Sequence, residues 1–270
     1  MSSFYQILEE AIKVVSIDKK ESLLREAFLK LESSLDEKEG EILDFKTPAY
    51  SQICQIVSPN NLPKRANFNT KEGLGALLHS IAHIEYNAID LALDAVYRFR
   101  DTPAEYKKDW LEVAEDEIRH FLMIEKILNS LGYRYGDFPV HQSLFIALKK
   151  TKNSLLDRMA VVPRFYEATG LDVNPKIVQK LKSTPKKTDA INESIKALGV
   201  IYQEEISHVK KGDRWFKWEC DRLNLDYFDT FFKILEKYKL LKRAVSINTK
   251  ARLEAGFECK ELKKFGVKKC

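Results

Sequence analysis

Much of the chain repeats apolar residues every three or four positions, the spacing of a helical stripe that faces a core. Four long stretches carry this period. The first runs from about Thr70 to Phe99. The second opens with Thr102 at the N-cap and Pro103 at the first helical position, and it ends at Gly132. The third covers roughly Ser143 to Thr169, stops at Gly170 and carries Pro163 inside it as a kink. The fourth begins near Thr184-Pro185 and continues to about Leu223. Ahead of them, residues 2–37 read as one or two short amphipathic helices. Residues 45–69 hold three prolines and no helical period, which predicts an extended connection that wraps across a helical body. No segment alternates apolar and polar positions as a half-buried strand does. The expectation is an all-α chain in three parts. These are an N-terminal helical and extended wrap (1–69), a four-helix bundle (70–223) and a C-terminal basic helical tail (224–270).

Composition changes this picture little. A chain of 270 residues with 44% hydrophobic content can bury a sizeable core. Its 45 basic and 40 acidic residues leave a net charge of +5, too small and too spread to argue for nucleic acid. The segment from Lys233 to Cys270 is rich in Lys and poor in acids. It reads as a solvated tail or surface helix, and the alternative is a patch that contacts RNA or another anionic partner. Cys54, Cys220, Cys259 and Cys270 form no CxxC pair and fit no zinc spacing. They read as reduced thiols in a cytoplasmic protein. The N-terminus has acids inside its apolar stretch and no basic start, so no signal peptide is expected. No run of 18 apolar residues exists, so no membrane span is expected either.

The chemistry lies in the second and fourth stretches. One contains Glu117-Ile118-Arg119-His120 and the other Glu205-Ile206-Ser207-His208. On a helix, residues three apart project from one face, so each pair can chelate a single metal ion. Taken alone, a Glu-x-x-His pair is a common accident. Orientation separates accident from site. At about 100° per residue, the neighbours of Glu117 are Trp110, Val113, Phe121, Ile124, Leu128 and Leu131. Those of Glu205 are Ile191, Leu198, Ile201, Val209 and Phe216, with Ser194 and Gly212. Both pairs therefore point into the core, where an uncompensated carboxylate costs several kcal/mol or takes up a proton.

The first stretch adds an inward Glu85, on a face with Leu74, Leu78, Ile81, Ile89 and Ala92. The third adds Glu167, on a face with Leu156, Ala160, Pro163 and Leu171. The order is then Glu, Glu-x-x-His, Glu, Glu-x-x-His, one half approximating a copy of the other. Six candidate metal ligands follow: Glu85, Glu117, His120, Glu167, Glu205 and His208. Glutamates would bridge and terminate a metal pair, and each histidine would cap one ion. The competing reading makes the glutamates buried ion-pair partners of Arg164 or Arg158. Asp90, Asp94, Asp116 and Glu204 are candidate acceptors for the outer imidazole nitrogens. His79 and His83 lie about 120° and 160° from Glu85 on the helix, so they cannot join the same site. They are expected to pack under the N-terminal extension or to make local hydrogen bonds, and His141 to be a bonded loop residue.

This pattern resembles the ferritin-like di-iron superfamily. More closely, LLHSIAHIEYNAIDLALDA, AEDEIRHF, LGYRYGDFPVH, RMAVVPRFYEATGLD, YQEEISHV and ARLEAGF resemble an uncharacterised, mainly bacterial family of ferritin-like proteins, DUF455. The resemblance covers about Leu62 to Phe257, and its metal positions are the same six residues. It implies fold and site better than reaction. A more distant likeness, by ligand pattern alone, is to the di-iron hydroxylase that modifies tRNA. Iron-storage subunits are shorter and form shells. The segments flanking the bundle argue here for a monomer or dimer instead.

The expected cofactor is two Fe ions, and Mn or a mixed Mn/Fe pair satisfies the same donors. The expected function is an O2-dependent oxidase or hydroxylase on an unidentified substrate, small or macromolecular, with an unidentified electron donor. The alternatives are a ferroxidase, peroxide scavenger or metal-handling protein without organic substrate, and an interaction protein with a vestigial site. Nothing in the sequence selects the substrate.

Overall fold

Two serines start the first two helices. Helix α1 (Phe4–Lys13) opens with a capping box in which Ser3 and Gln6 bond each other's backbone. Ser16 caps α2 (Ile17–Leu29). Helix α1 buries Phe4, Ile7, Leu8 and Ala11 along one stripe. Helix α2 buries a charge, because the Lys20 side chain is fully enclosed. Its Nζ donates to the Ala11 carbonyl at 2.7 Å and meets the Asp90 carboxylate at 2.6 Å, which supplies the partner a buried ammonium requires.

The computed structural model describes residues 2–32, 40–62, 67–241 and 246–270. The end of the expected N-terminal helical stretch (33–37), part of the wrap (63–66) and part of the tail (242–245) lie outside the described residues. Within the wrap, the described residues form 3-10 turns at Ala49–Gln52 and Pro59–Asn61 and an isolated parallel bridge between Ile56 and Val140. That bridge aside, the regular structure of the described residues is helical. Among them no helix is long and apolar enough to cross a membrane.

Helix α3 (Lys71–Arg98) begins where Thr70 accepts the Gly73 N–H at 3.0 Å. Removing that acceptor with Thr70→Ala is expected to lower stability by about 1 kcal/mol, read as a shifted denaturant midpoint with an unchanged slope. Helix α4 spans Ala104–Ser130. Its N-cap is Pro103, one residue later than the sequence predicts, because the Thr102 hydroxyl is spent on the Phe99 carbonyl at 2.7 Å. The far end follows expectation. Gly132 takes a left-handed φ of 87°, and the amides of Gly132 and Tyr133 return to the carbonyls of Asn129 and Leu128.

The third stretch departs most from its pattern. In place of one kinked helix there are α5 (Ser143–Lys150), α6 (Leu155–Val161), a π-helical stretch (Val162–Glu167) and α7 (Ala168–Ser183). Ser154 explains the first break, since its hydroxyl accepts the Asp157 N–H and restarts the helix. Pro163 explains the π stretch. It lacks an N–H and its ring crowds the preceding turn, and here the chain takes the wider π turn. Gly170 does not stop the helix. Its cost of about 1 kcal/mol is small against the burial of Leu171 and Leu181 on either side of the next turns.

Helix α8 spans Asp189–Arg222, starting later than predicted because Thr188, not Thr184, accepts the capping N–H, from Ile191. Among the described residues three short helices follow: α9 (Tyr227–Lys237), α10 (Thr249–Glu254) and α11 (Cys259–Lys264). The tail is not simply solvated, since Phe231, Leu235, Phe257 and Leu262 are buried. Cys259 and Cys270 are joined in a disulfide, which corrects the expectation of four reduced thiols. The turn after α11 brings their Cα atoms to 5.8 Å. Cys54 and Cys220 are free and buried.

The chain divides into two compact units. Residues 1–149 and 184–197 form the first, around α3 and α4. Residues 150–183 and 198–270 form the second, with α6, α7, most of α8 and the three tail helices.

Candidate metal centre

In the first unit, the apolar faces of α3 and α4 carry three ionisable side chains inward. Glu85 is 4% exposed, and Glu117 and His120 are fully enclosed. Their helix-face neighbours Leu78, Ile81, Ile89, Trp110, Phe121 and Ile124 are all buried, so burial follows directly from the 3.6-residue period. His120 Nδ1 lies 3.3 Å from Glu117 Oε2 and 3.5 Å from Glu85 Oε2. One ligand atom from each of the three falls within 4.8 Å of the others, close enough for one cation to touch all of them. Among the described residues, Glu85 has His120 as its ion-pair partner, and its Oε2 accepts no hydrogen bond.

Without a metal the cluster must hold protons instead. Burial, and then the adjacent Glu117 charge, push the Glu85 carboxyl up to about 8. Burial works against a charged His120, but its hydrogen bond to Glu117 and the facing Glu85 carboxylate outweigh burial and keep the imidazole protonated, raising it to about 12. A cation entering here would displace protons rather than water alone. Two carboxylates and an imidazole form a donor set suited to Fe, Mn or Zn, so a buried group able to hold a metal ion is in place.

The second unit carries the other three predicted ligands. On α8, His208 is enclosed and its Nδ1 lies 3.9 Å from Glu205 Oε2. Glu205 itself is half-buried. The same nitrogen thus faces the glutamate three residues earlier in both Glu-x-x-His pairs. Glu167 is the last residue of the π-helical stretch and is half-buried.

Other sequence candidates have different employment. The Arg164 charge goes to Asp213 and Glu261, not to the inward glutamates. Asp90, Asp94 and Asp116 are paired with Lys20, Arg98 and Arg119 respectively. His79 Nε2 accepts the Gly136 N–H at 2.9 Å, and burial holds its pKa down near 4, so it is neutral. His83 bonds the Tyr135 hydroxyl through Nδ1 and the His141 carbonyl through Nε2, each at 2.8 Å. His141 Nδ1 accepts the Ser143 N–H at 3.3 Å. Sequence reasoning missed the charge cluster around Arg164, whose members lie far apart in the chain with no shared spacing.

A family model described as "Protein of unknown function (DUF455)" matches residues 12–263. An uncharacterized protein of Haemophilus influenzae is 36% identical, over 97% of this chain and 93% of its own length. No solved structure matches.

Proposed function

The chain belongs to the DUF455 family, and from that footing we propose that it is a ferritin-like di-metal carboxylate protein acting as an O2-dependent oxidase or hydroxylase. In this reading α3, α4, the α6–α7 segment and α8 are the four helices of the bundle. Glu85, Glu117, Glu167 and Glu205 would bridge and terminate the two ions, and His120 and His208 would cap one each. The observation that carries it is the enclosed group of Glu85, Glu117 and His120, with a Glu85 oxygen that accepts no hydrogen bond. Buried carboxylates without compensation are costly, and a divalent ion compensates them. The matching Glu205–His208 geometry supports a second ion of the same kind.

Two ferrous ions, when bound, would give electrons to O2, and the remaining electrons for its reduction would come from the substrate and an outside donor. The protein's part is to neutralise the ions with carboxylates and to orient the two imidazoles. Its apolar faces, with Phe121, Ile124 and Leu78 around the first trio, keep water from the reacting groups. The cytoplasmic setting, an outside electron donor and a monomeric or dimeric state belong to the same proposal.

The test is metal analysis of the chain reconstituted anaerobically with ferrous iron, with optical spectra before and after O2. The expected result is two tightly bound ions per chain and a spectral change on O2 addition. Fewer than one bound transition metal per chain would sink the proposal. Iron oxidation without consumption of any organic candidate would favour the ferroxidase reading instead.

A further inference from the structure

Glu167 stands at the end of a π-helical stretch, and that stretch is held from one side by a buried cation. Arg164 is fully enclosed. Its Nη2 lies 2.7 Å from Glu261 Oε1 on α11 and 3.0 Å from Asp213 Oδ1 on α8. The rings of Phe216, Phe231 and Phe257 surround the guanidinium at 4.7, 4.1 and 4.8 Å from its central carbon. Both anions are themselves fixed. Glu261 Oε2 accepts the Glu258 N–H at 2.9 Å. Lys217 Nζ donates to Asp213 Oδ2 and to the Gly256 carbonyl. Beside this cluster Pro163 presses on α8 so closely that a Cβ on Gly212 would sit 2.2 Å from its ring.

A π stretch needs such support. It holds one more residue than an α-helix over the same length, and it is rare without a compensating contact. Relaxing to α geometry would turn the following residue by about 100° about the axis, which carries Glu167 off its face. We infer that Arg164 is a positioning residue for Glu167: the C-terminal helix, through Glu261, and α8, through Asp213, fix the guanidinium, and the guanidinium fixes the π register. The metal role of Glu167 rests on the reading above. The clamp on the π stretch does not.

The experiment compares wild type, Arg164→Lys, Arg164→Gln and Glu261→Gln in the full chain. Amide hydrogen exchange is first followed on metal-free protein. The Glu261→Gln chain keeps its shape and is the variant to rely on if Arg164→Gln fails to fold. Exchange across 162–169 should accelerate at least tenfold in Glu261→Gln, with the α4 segment around Glu117 unchanged. Arg164→Lys, which keeps the charge but not the fork, should fall between wild type and Arg164→Gln. Cobalt(II) titration, read by visible absorption, should then show the second equivalent weakened about tenfold and the first unaffected. Unaltered exchange across 162–169 in folded Glu261→Gln and Arg164→Lys chains overturns the inference. So does equal acceleration in both segments, which marks a merely structural role. The expected exchange pattern in a wild type that binds no cobalt removes the metal reading and leaves the clamp standing.

Discussion

Glu117→Gln is expected to leave the chain folded and to end stoichiometric metal uptake at the first trio. Even a residue behind a ligand costs 10–100-fold in affinity when lost, so loss of a carboxylate ligand should weaken binding by at least about 100-fold. Stability should change less than it does when a structural ion pair is broken. Breaking a buried pair by removing one partner usually costs 3–5 kcal/mol. Here Glu85 and Glu117 crowd one imidazole. When Glu117 becomes neutral, Glu85 is freed to ionise and take over His120. The metal-free midpoint should then stay within about 1 kcal/mol of wild type. Calorimetric titration with manganese(II) and chemical denaturation together read both effects. A variant that still binds two ions, or one that unfolds outright, would count against the ligand assignment. His208→Ala should do the same to the second ion.

Saturating metal should raise the unfolding midpoint by roughly 5–10 °C, and the rise should grow with pH. An ion at a hundredfold excess over its dissociation constant contributes about 2.7 kcal/mol, and a chain of this size gains about 2–4 °C per kcal/mol. The sign of the pH dependence follows from the protons. The Glu85 carboxyl sits at about 8 in the folded chain against an ordinary 4.5. The folded state therefore binds more protons than the unfolded state between those values, and metal-free stability from this group falls as pH rises through that window. His120, held up at about 12 against 6.5, contributes stability that is present below 6.5 and declines as pH rises toward the folded value. Metal binding displaces both protons, so affinity increases as they become easier to remove. Differential scanning at pH 6 and pH 8, with manganese(II) and then with excess chelator, measures this. A metal-induced shift that shrinks at the higher pH would contradict the protonation of Glu85 and His120.

Helix α3 was almost fully legible because its signals are local. Thr70 caps it, and twenty-eight residues of one period follow. The end of α4 was legible for the same reason, since Gly132 can take a conformation that other residues resist. The third stretch was misread because its signals conflict. Pro163 announces a break, yet Gly212 on α8 leaves room for the ring and Arg164 finds Asp213 and Glu261. Those partners lie roughly fifty and a hundred residues away, beyond any periodic pattern. The disulfide escaped for a similar reason. Residues 259 and 270 are eleven apart, and only the turn after α11 sets their distance.

What the sequence determined by itself is therefore the all-helical class and the inward direction of Glu85, Glu117 and His120. Both follow from a period that each helix carries in its own residues. Tertiary structure decided the rest. It brought those three ligand atoms within one ion's reach, kept Glu85 protonated through burial and His120 protonated against it, and ended a π stretch at Glu167. Distances between helices, charge in a low dielectric and the register of a strained turn depend on which side chains meet across the fold, and spacing along one chain does not encode that meeting.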